Sequence, residues 1–379
     1  IGDSHDVVAS CAETELTNVL LLYMGGRRVA STEDGRRFLE TARQTSLKKP
    51  ITAIKIGRSE AGARAAASHT GSLAGSEKVF DAALAQAGVV RVDSPTEILD
   101  VAEAFAKCKP AKGKRIAILT DGGGHGVMAT DLAEKYGLSA PVLSAATQEK
   151  IRAILKPHCP IKNPVDLAGT PEGDMWVFDR CAEVLLADPD VDGLVIVGLY
   201  GGYADLSEEF RVLEMDVAES LSKRIAASDK PVVMPSIYQP VHPACLDLLR
   251  DNGLPVYGSI DAAMKSMGAL ASYADRCKII SEELNAPAPA LPANRQAAAQ
   301  AITAGIKRVT PDAECVHVPI ADGGDGLFDV VKSVFGGECI TKSVTGPLFA
   351  PVSADILYLP EEKTAVVEMA RASGLGLLK

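Results

Sequence analysis

The stretch at residues 115–137, "RIAILTDGGGHGVMATDLAEKYG", decides how this chain is read. Its "IAILT" run carries no charge, which suits a strand buried on both faces of a parallel sheet. The glycines end that strand, and the apolar spacing from about Val127 to Tyr136 predicts a helix. A strand, a glycine turn and a helix in that order leave backbone N–H groups facing outward at the positive end of a helix dipole. Such a place attracts anions. Gly124, Gly126 and Ala129 fit the pattern GxGxxG/A, yet the following "APVLS" ends without the acidic residue that would hold a ribose. No Gly-Lys-Ser/Thr follows either, so a Walker A loop is excluded. The economical reading is a phosphate site without a nucleotide, built from Gly122, Gly123, Gly124, His125 and Gly126.

Outward from that stretch, short β-rich runs alternate with helical patterns: "NVLLLYM", "ITAIKIG" and "VVRVD" before it, "GLSAPVLS", "GLVIVGLY", "PVVMPSI" and "LPVYG" after it. The alternation predicts an α/β fold of βαβ units on parallel sheets. The Lys/Pro-rich "AKCKPAKGKR" separates a first domain over 1–107 from a second over 113–275. A Pro/Ala-rich linker is expected over 276–298, with "NAPAPALPAN" extended, and a further α/β segment over 299–379.

The 379 residues carry a net charge of -10 and a pI near 5.2, which argues against nucleic acid or an anionic membrane surface as partner. No apolar run is long enough to span a bilayer. The 8 cysteines show no CxxC pair and no zinc-ligand spacing, so a reducing, cytoplasmic location and no certain metal site are expected. The start "IGDSHDVVAS" has neither the charged nor the apolar region of a signal peptide and no methionine, so a beginning inside a longer gene is expected.

A second bare loop, "ARAAASHTGSLAG" at 63–75, sets His69 between Ser68 and Thr70 with nothing bulky to bury. An exposed imidazole titrates close to neutrality and presents a neutral ring nitrogen as nucleophile. Taken alone it reads as a surface histidine on a Gly/Ser loop; with an anion-binding glycine turn in the same chain it reads as a phosphoryl carrier. Asp166, in "NPVDLAGT" at 163–170, either orients that turn or caps a local one.

The run "KIGRSEAGARAAASHTGSLAGSEKVFDAALAQAGVVRVDSPTEILDVAEAF", with "RIAILTDGGGHGVMATDLAE", "NPVDLAGT" and "VDGLVIVGLYGGYADL", resembles the NDP-forming acyl-CoA synthetases, relatives of succinyl-CoA synthetase. The resemblance covers about 1–300. It implies two flavodoxin-like parallel-sheet domains, the first truncated, with His69 as the phosphorylated histidine and the glycine turn as its cradle. It also implies acyl-CoA, ADP and phosphate in exchange for carboxylate, CoA and ATP, Mg²⁺ with the nucleotide, an ATP-grasp module or subunit and a CoA-binding domain as partners, and an oligomer. Arg58 and Arg64 either assist electrostatically or are solvated surface residues. Where the family carries an acidic residue after the first strand, Met24 and Gly25 stand here.

From about Ala299, "AITAGIKRVTPDAECVHVPIADGGDGLFDVV", "VTGPL" and "KTAVVEMARASGLGLL" resemble the N-terminal part of a glycerate kinase. Asp322 and Asp325 sit on a glycine loop whose hard oxygens suit Mg²⁺ or a small polyol, or simply cap the following helix. The changeover falls inside one helix, "RQAAAQAITAGI", which suggests a joined or misassembled fragment as readily as a natural fusion. Three functions follow: an acyl-CoA synthetase part, a glycerate kinase acting on D-glycerate with ATP, or a non-catalytic phosphoacceptor or assembly module.

Overall fold

A computed structural model describes residues 4–24, 32–57, 61–62, 77–285, 295–309, 311–312, 314–315, 327–345, 351–360 and 363–368. The chain divides into two compact units, Ile1–Ala286 and Pro287–Lys379.

The first unit opens with α1 (Ser4–Glu13), β1 (Leu20–Met24), α2 (Thr32–Ser46), β2 (Ile51–Lys55), α3 (Glu77–Gln86), β3 (Val90–Val92) and α4 (Pro95–Lys107). The strands form a parallel sheet in the order β1-β2-β3. Its core gathers Val8, Leu20, Ala42, Ile51, Ala53, Leu84 and Val89. Helix α4 starts at a side-chain cap: Ser94 accepts from the Glu97 N–H, and Pro95 fills a first-turn position that needs no N–H.

A second parallel sheet follows. It is built from β4 (Ile116–Thr120), β5 (Val165–Asp166), β6 (Gly193–Val197), β7 (Val232–Pro235) and β8 (Val256–Tyr257), in the order β5-β4-β6-β7-β8. Counted along the chain this is 2-1-3-4-5, the flavodoxin-like order. Between and after the strands come α5 (Gly123–Lys135), α6 (Ala145–Ile154), α7 (Val177–Ala187), α8 (Glu208–Ala227), α9 (Ala244–Asp251) and α10 (Ile260–Asn285). Strands β4 and β6 are buried at every position, as uncharged runs covered on both faces must be. One face carries Leu119, Leu194 and Ile196 against Phe178, Leu185 and Leu221; the other carries Ile118 and Val195 against Ala129, Met264 and Met267.

Helix α10 ties the two sheets. Met264, Met267 and Leu270 pack under the second sheet, while Ala269 and Tyr273 join Ile54, Val90 and Val92 of the first. The Tyr273 ring meets Phe105 edge-on at 5.1 Å, and its hydroxyl donates to the Ser46 carbonyl at 2.5 Å. Gly88, at φ 72°, lets the chain turn from α3 into β3 beside this helix, where a Cβ would fall 2.9 Å from Ile280.

Three expectations need correction. The linker read over 276–298 is helical to Asn285, with Ile280 buried at 2%, because the apolar face of α10 continues past residue 276. "GLSAPVLS" makes no strand, only an isolated bridge from Ser139 to Arg115. The place beside β4 is taken by Asn163 and β5: the Asn163 amide accepts from the Ile118 N–H at 3.0 Å and donates to the Ile116 and Pro141 carbonyls at 2.9 Å. Third, α5 begins at Gly123 and not near Val127, so the glycines are its first turn.

The second unit, among its described residues, has α11 (Arg295–Val309), α12 (Leu327–Phe335), β9 (Glu338–Thr345), β10 (Pro351–Leu359) and β11 (Thr364–Val367). The strands form an antiparallel sheet, β11-β10-β9, with Phe328, Leu357 and Leu359 as its core. Glu368, just after β11, accepts from the Phe328 N–H at 2.8 Å and so satisfies a first-turn amide of α12. Asp322 and Asp325 lie outside the described residues.

Asn163 is the cheapest probe of this architecture. Asn163→Ala strands the Ile118 N–H and the Ile116 carbonyl beside a buried strand, and the expected loss is about 2–3 kcal/mol of unfolding free energy in urea titration.

Candidate functional site

In a sheet of order 2-1-3-4-5 the crevice lies between the first and third strands, beyond their carboxyl ends. Here those strands are β4 and β6. Helix α5 leaves β4 toward one face and α8 leaves the β6 side toward the other, so the two loops part and leave an opening.

The glycine turn forms one wall. Gly122 stands at the N-cap of α5 and contributes no side-chain cap, whereas α4, α6 and α8 have Ser94, Ser144 and Ser207 in that role. The Gly122 N–H is satisfied by the Thr120 hydroxyl at 3.1 Å, and the Gly126 N–H by the Gly122 carbonyl at 3.1 Å. The helix therefore presents an uncapped glycine first turn to the crevice.

Each glycine answers to a different neighbour. A Cβ on Gly122 would lie 2.6 Å from His125 Nδ1, so the imidazole folds back over the turn. On Gly126 it would lie 2.9 Å from Thr120 and 3.2 Å from Pro164, which fixes the close approach of helix and strand. On Gly123 it would come 3.1 Å from Asp166 Oδ2. Over Gly124 no described residue stands within 4 Å. Asp166 also accepts from the Ala168 N–H at 2.9 Å, so it shapes its own turn as well as flanking Gly123.

The other wall is the segment after β6, held by residues outside the site expected from the sequence. Asp121 Oδ1 accepts from the Leu199 N–H and Oδ2 from the Tyr203 hydroxyl, both at 2.8 Å. Glu214, fully buried, accepts from the N–H groups of Gly201 at 2.6 Å, Ala204 at 3.1 Å and Tyr203 at 3.4 Å. Burial raises the carboxyls of both Asp121 and Glu214 above their ordinary range, against the pull of these donors. The Tyr203 ring meets Phe178 and stacks on Phe210, which also lines a cavity of 320 Å³ with Pro171, Glu172 and Trp176.

His69, Ser68, Thr70, Arg58 and Arg64 lie outside the described residues, as does Gly25. The structure thus brings together Gly122, Gly123, Gly124, His125, Gly126 and Asp166, and adds Asp121, Tyr203 and Glu214. Asp121 and Tyr203 had faint sequence signals, an acidic residue directly after a buried strand and a Gly-Gly-Tyr segment after another; Glu214 had none. No described helix is long and apolar enough to cross a membrane, and the described residues hold no cluster of three or more metal-ligating side chains.

Comparison with known proteins follows the same division. Residues 2–105 match the "Succinyl-CoA ligase like flavodoxin domain", 116–280 the "Ligase-CoA domain" and 292–379 the "Glycerate kinase family". The alpha subunit of ADP-forming acetate–CoA ligase II of Pyrococcus furiosus is 37% identical over 257 residues, 67% of this chain and 53% of that protein. The alpha subunit of isoenzyme I from the same organism is 38% identical over 71% of this chain and 55% of its own length. Glycerate kinase of Bacillus subtilis is 44% identical over 81 residues, 21% of each chain. Among solved structures, dinucleotide-forming acetyl-coenzyme A synthetase 1 of Ca. Korarchaeum cryptofilum, in complex with phosphate and ADP, superposes with TM-score 0.65 and 27% identity. It covers 76% of this chain and 59% of that one. A Pyrococcus horikoshii structure gives 0.59 and 29%, over 73% and 57%. The chain spans a little over half the length of the acetate–CoA ligase subunits it matches. Residues 2–105 and 116–280 thus match a succinyl-CoA-ligase-like flavodoxin domain and a ligase-CoA domain and are similar to ADP-forming acetate–CoA ligase alpha subunits, while residues 292–379 match part of the glycerate kinase family.

Proposed function

We propose that the first unit is the phosphoryl-carrying part of an ADP-forming acyl-CoA ligase, an acid–thiol ligase. The observation that carries this reading is the uncapped glycine turn at the β4/β6 crevice. In the proposed sequence, phosphate displaces CoA from an acyl thioester to give an acyl phosphate. The acyl phosphate passes its phosphoryl group to a ring nitrogen of His69 and leaves as carboxylate; ADP then takes the group and leaves as ATP.

The part played by this chain is to hold the phosphoryl group while it is on the histidine. The first-turn amides and dipole of α5 supply attraction without a titrating group. Gly124, which no described residue approaches within 4 Å, leaves room for phosphate oxygens, Ser68 and Thr70 flank the carrier in sequence, and Asp166 keeps the turn in shape beside Gly123. The described residues offer no cluster of three or more metal-ligating side chains for Mg²⁺. Nucleotide and Mg²⁺ belong in this reading to an ATP-grasp module or partner subunit, and CoA to a further domain. The relatives named as alpha subunits support such a partnership. A non-catalytic phosphoacceptor role is the same site without the ligase partner.

Two variants test the carrier. With a matching ATP-grasp subunit and γ-labelled ATP, acid-labile label is expected on the chain and is lost in His69→Ala; label retained in that variant overturns the assignment. Gly124→Val places its side chain over the turn without touching the rest of the described protein, so circular dichroism stays unchanged while labelling falls at least tenfold. By contrast, labelling at the wild-type level means the turn holds no phosphate.

The match over 292–379 favours a second reading, a glycerate kinase function at the Asp322/Asp325 loop. Phosphoryl transfer needs a clamped nucleotide in line with its acceptor, and the matched part is 21% of the B. subtilis enzyme. With ATP, Mg²⁺ and D-glycerate the chain is therefore expected to release no ADP above background; turnover sensitive to Asp322→Asn establishes the kinase instead.

A further inference from the structure

Asp121 is an unexpected residue to find beside an anion site. It directly follows β4 and precedes the glycine turn, yet its carboxylate faces the opposite wall, bonded to the Leu199 N–H and the Tyr203 hydroxyl. The fit is close. Gly198, at φ 140°, passes so near that a Cβ would lie 1.7 Å from Oδ1, so only glycine admits the carboxylate there. Tyr203 is itself fixed, 4% exposed against Phe178 and Phe210, and Glu214 holds the Gly201, Tyr203 and Ala204 amides from the far side. The titratable groups that bear on Asp121 and its phenol partner are His125 on α5, and Glu172 and Glu214 around Tyr203.

We propose that Asp121 is a positioning residue with opposed effects on the site: its two hydrogen bonds hold the Gly198–Tyr203 segment against the glycine turn, while its negative charge weakens the grip on any anion bound there. The proposal rests on the reading of the turn as a phosphate site. A carrier must give its phosphoryl group up as readily as it takes it. Amides and a helix dipole alone favour a resident anion, and a fixed carboxylate close by offsets that attraction without removing a donor. The same carboxylate keeps the two walls in register, which an uncharged gap would not.

Binding of sulfate to the full chain, by calorimetry at low salt and about pH 8, where an ordinary imidazole is neutral, separates the two effects. Asp121→Asn keeps an acceptor for the Leu199 N–H and can donate to the Tyr203 oxygen, so the charge is lost while both contacts remain, the second with its direction reversed. Sulfate is expected to bind roughly fivefold more tightly. Asp121→Ala loses charge and bonds together; binding weakens, and the Leu199 amide exchanges its hydrogen at least tenfold faster than in wild type or Asp121→Asn. Tyr203→Phe keeps the charge, loses one bond and weakens binding about threefold. Equal tightening in Asp121→Asn and Asp121→Ala overturns the positioning role. Sulfate binding by wild type that Asp121→Asn leaves unchanged overturns the charge effect, with the phosphate site intact. Binding by none of the chains overturns the phosphate reading itself and this proposal with it.

Discussion

Everything in the candidate site depends on the parting of two neighbouring buried strands. Strands β4 and β6 pair along their whole length, from Ile116 with Gly193 to Thr120 with Val197, and their chains then leave toward opposite faces of the sheet. Two loops that diverge from adjacent strand ends cannot close over each other, so the amides at the head of α5 stay open. No catalytic demand is needed to explain the opening; the strand order imposes it.

An opening bounded by irregular backbone has to be held by something other than sheet pairing. Asp121 and Glu214 do this with carboxylates, each of whose oxygens meets an N–H or O–H donor. Burying a carboxylate is costly unless such donors surround it, and the raised carboxyls of both residues show that burial still outweighs them. Asn163 solves the related problem on the β5 side, where two paired residues leave the rest of β4 uncovered and a side-chain amide completes the ladder. These polar groups fix the shape; the apolar layers around Phe178 and Met264 supply the cohesion.

The second unit is a different kind of object. Its described sheet is antiparallel, its core rests on Phe328, Leu357 and Leu359, and β9 is exposed over most of its length. Phe335, Val334, Ile340 and Val367 stand more than a third exposed, a large apolar share for so small a core. That agrees with a match to only part of the glycerate kinase family.

The sequence by itself determined the elements whose physics is local. The uncharged runs "IAILT" and "GLVIV" form covered strands, and the glycines after the first of them make a bare turn. It also carried the resemblance, through long runs at 55–105 and 115–134. What it misjudged was settled over distance. "GLSAPVLS" is apolar enough for a strand, but the edge it needed is filled by Asn163 and Val165, 22 or more residues away from Pro141. The extent of α10 goes with Ile280, buried beside Gly88 at the turn that leads into β3, a contact made over nearly two hundred residues of chain. Asp121, Tyr203 and Glu214 come from three separate segments, and a hydrogen bond across 82 residues leaves no period or spacing to read. Backbone choices are made by neighbours in sequence; the walls of a crevice are made by neighbours in space, and only the folded chain brings those together.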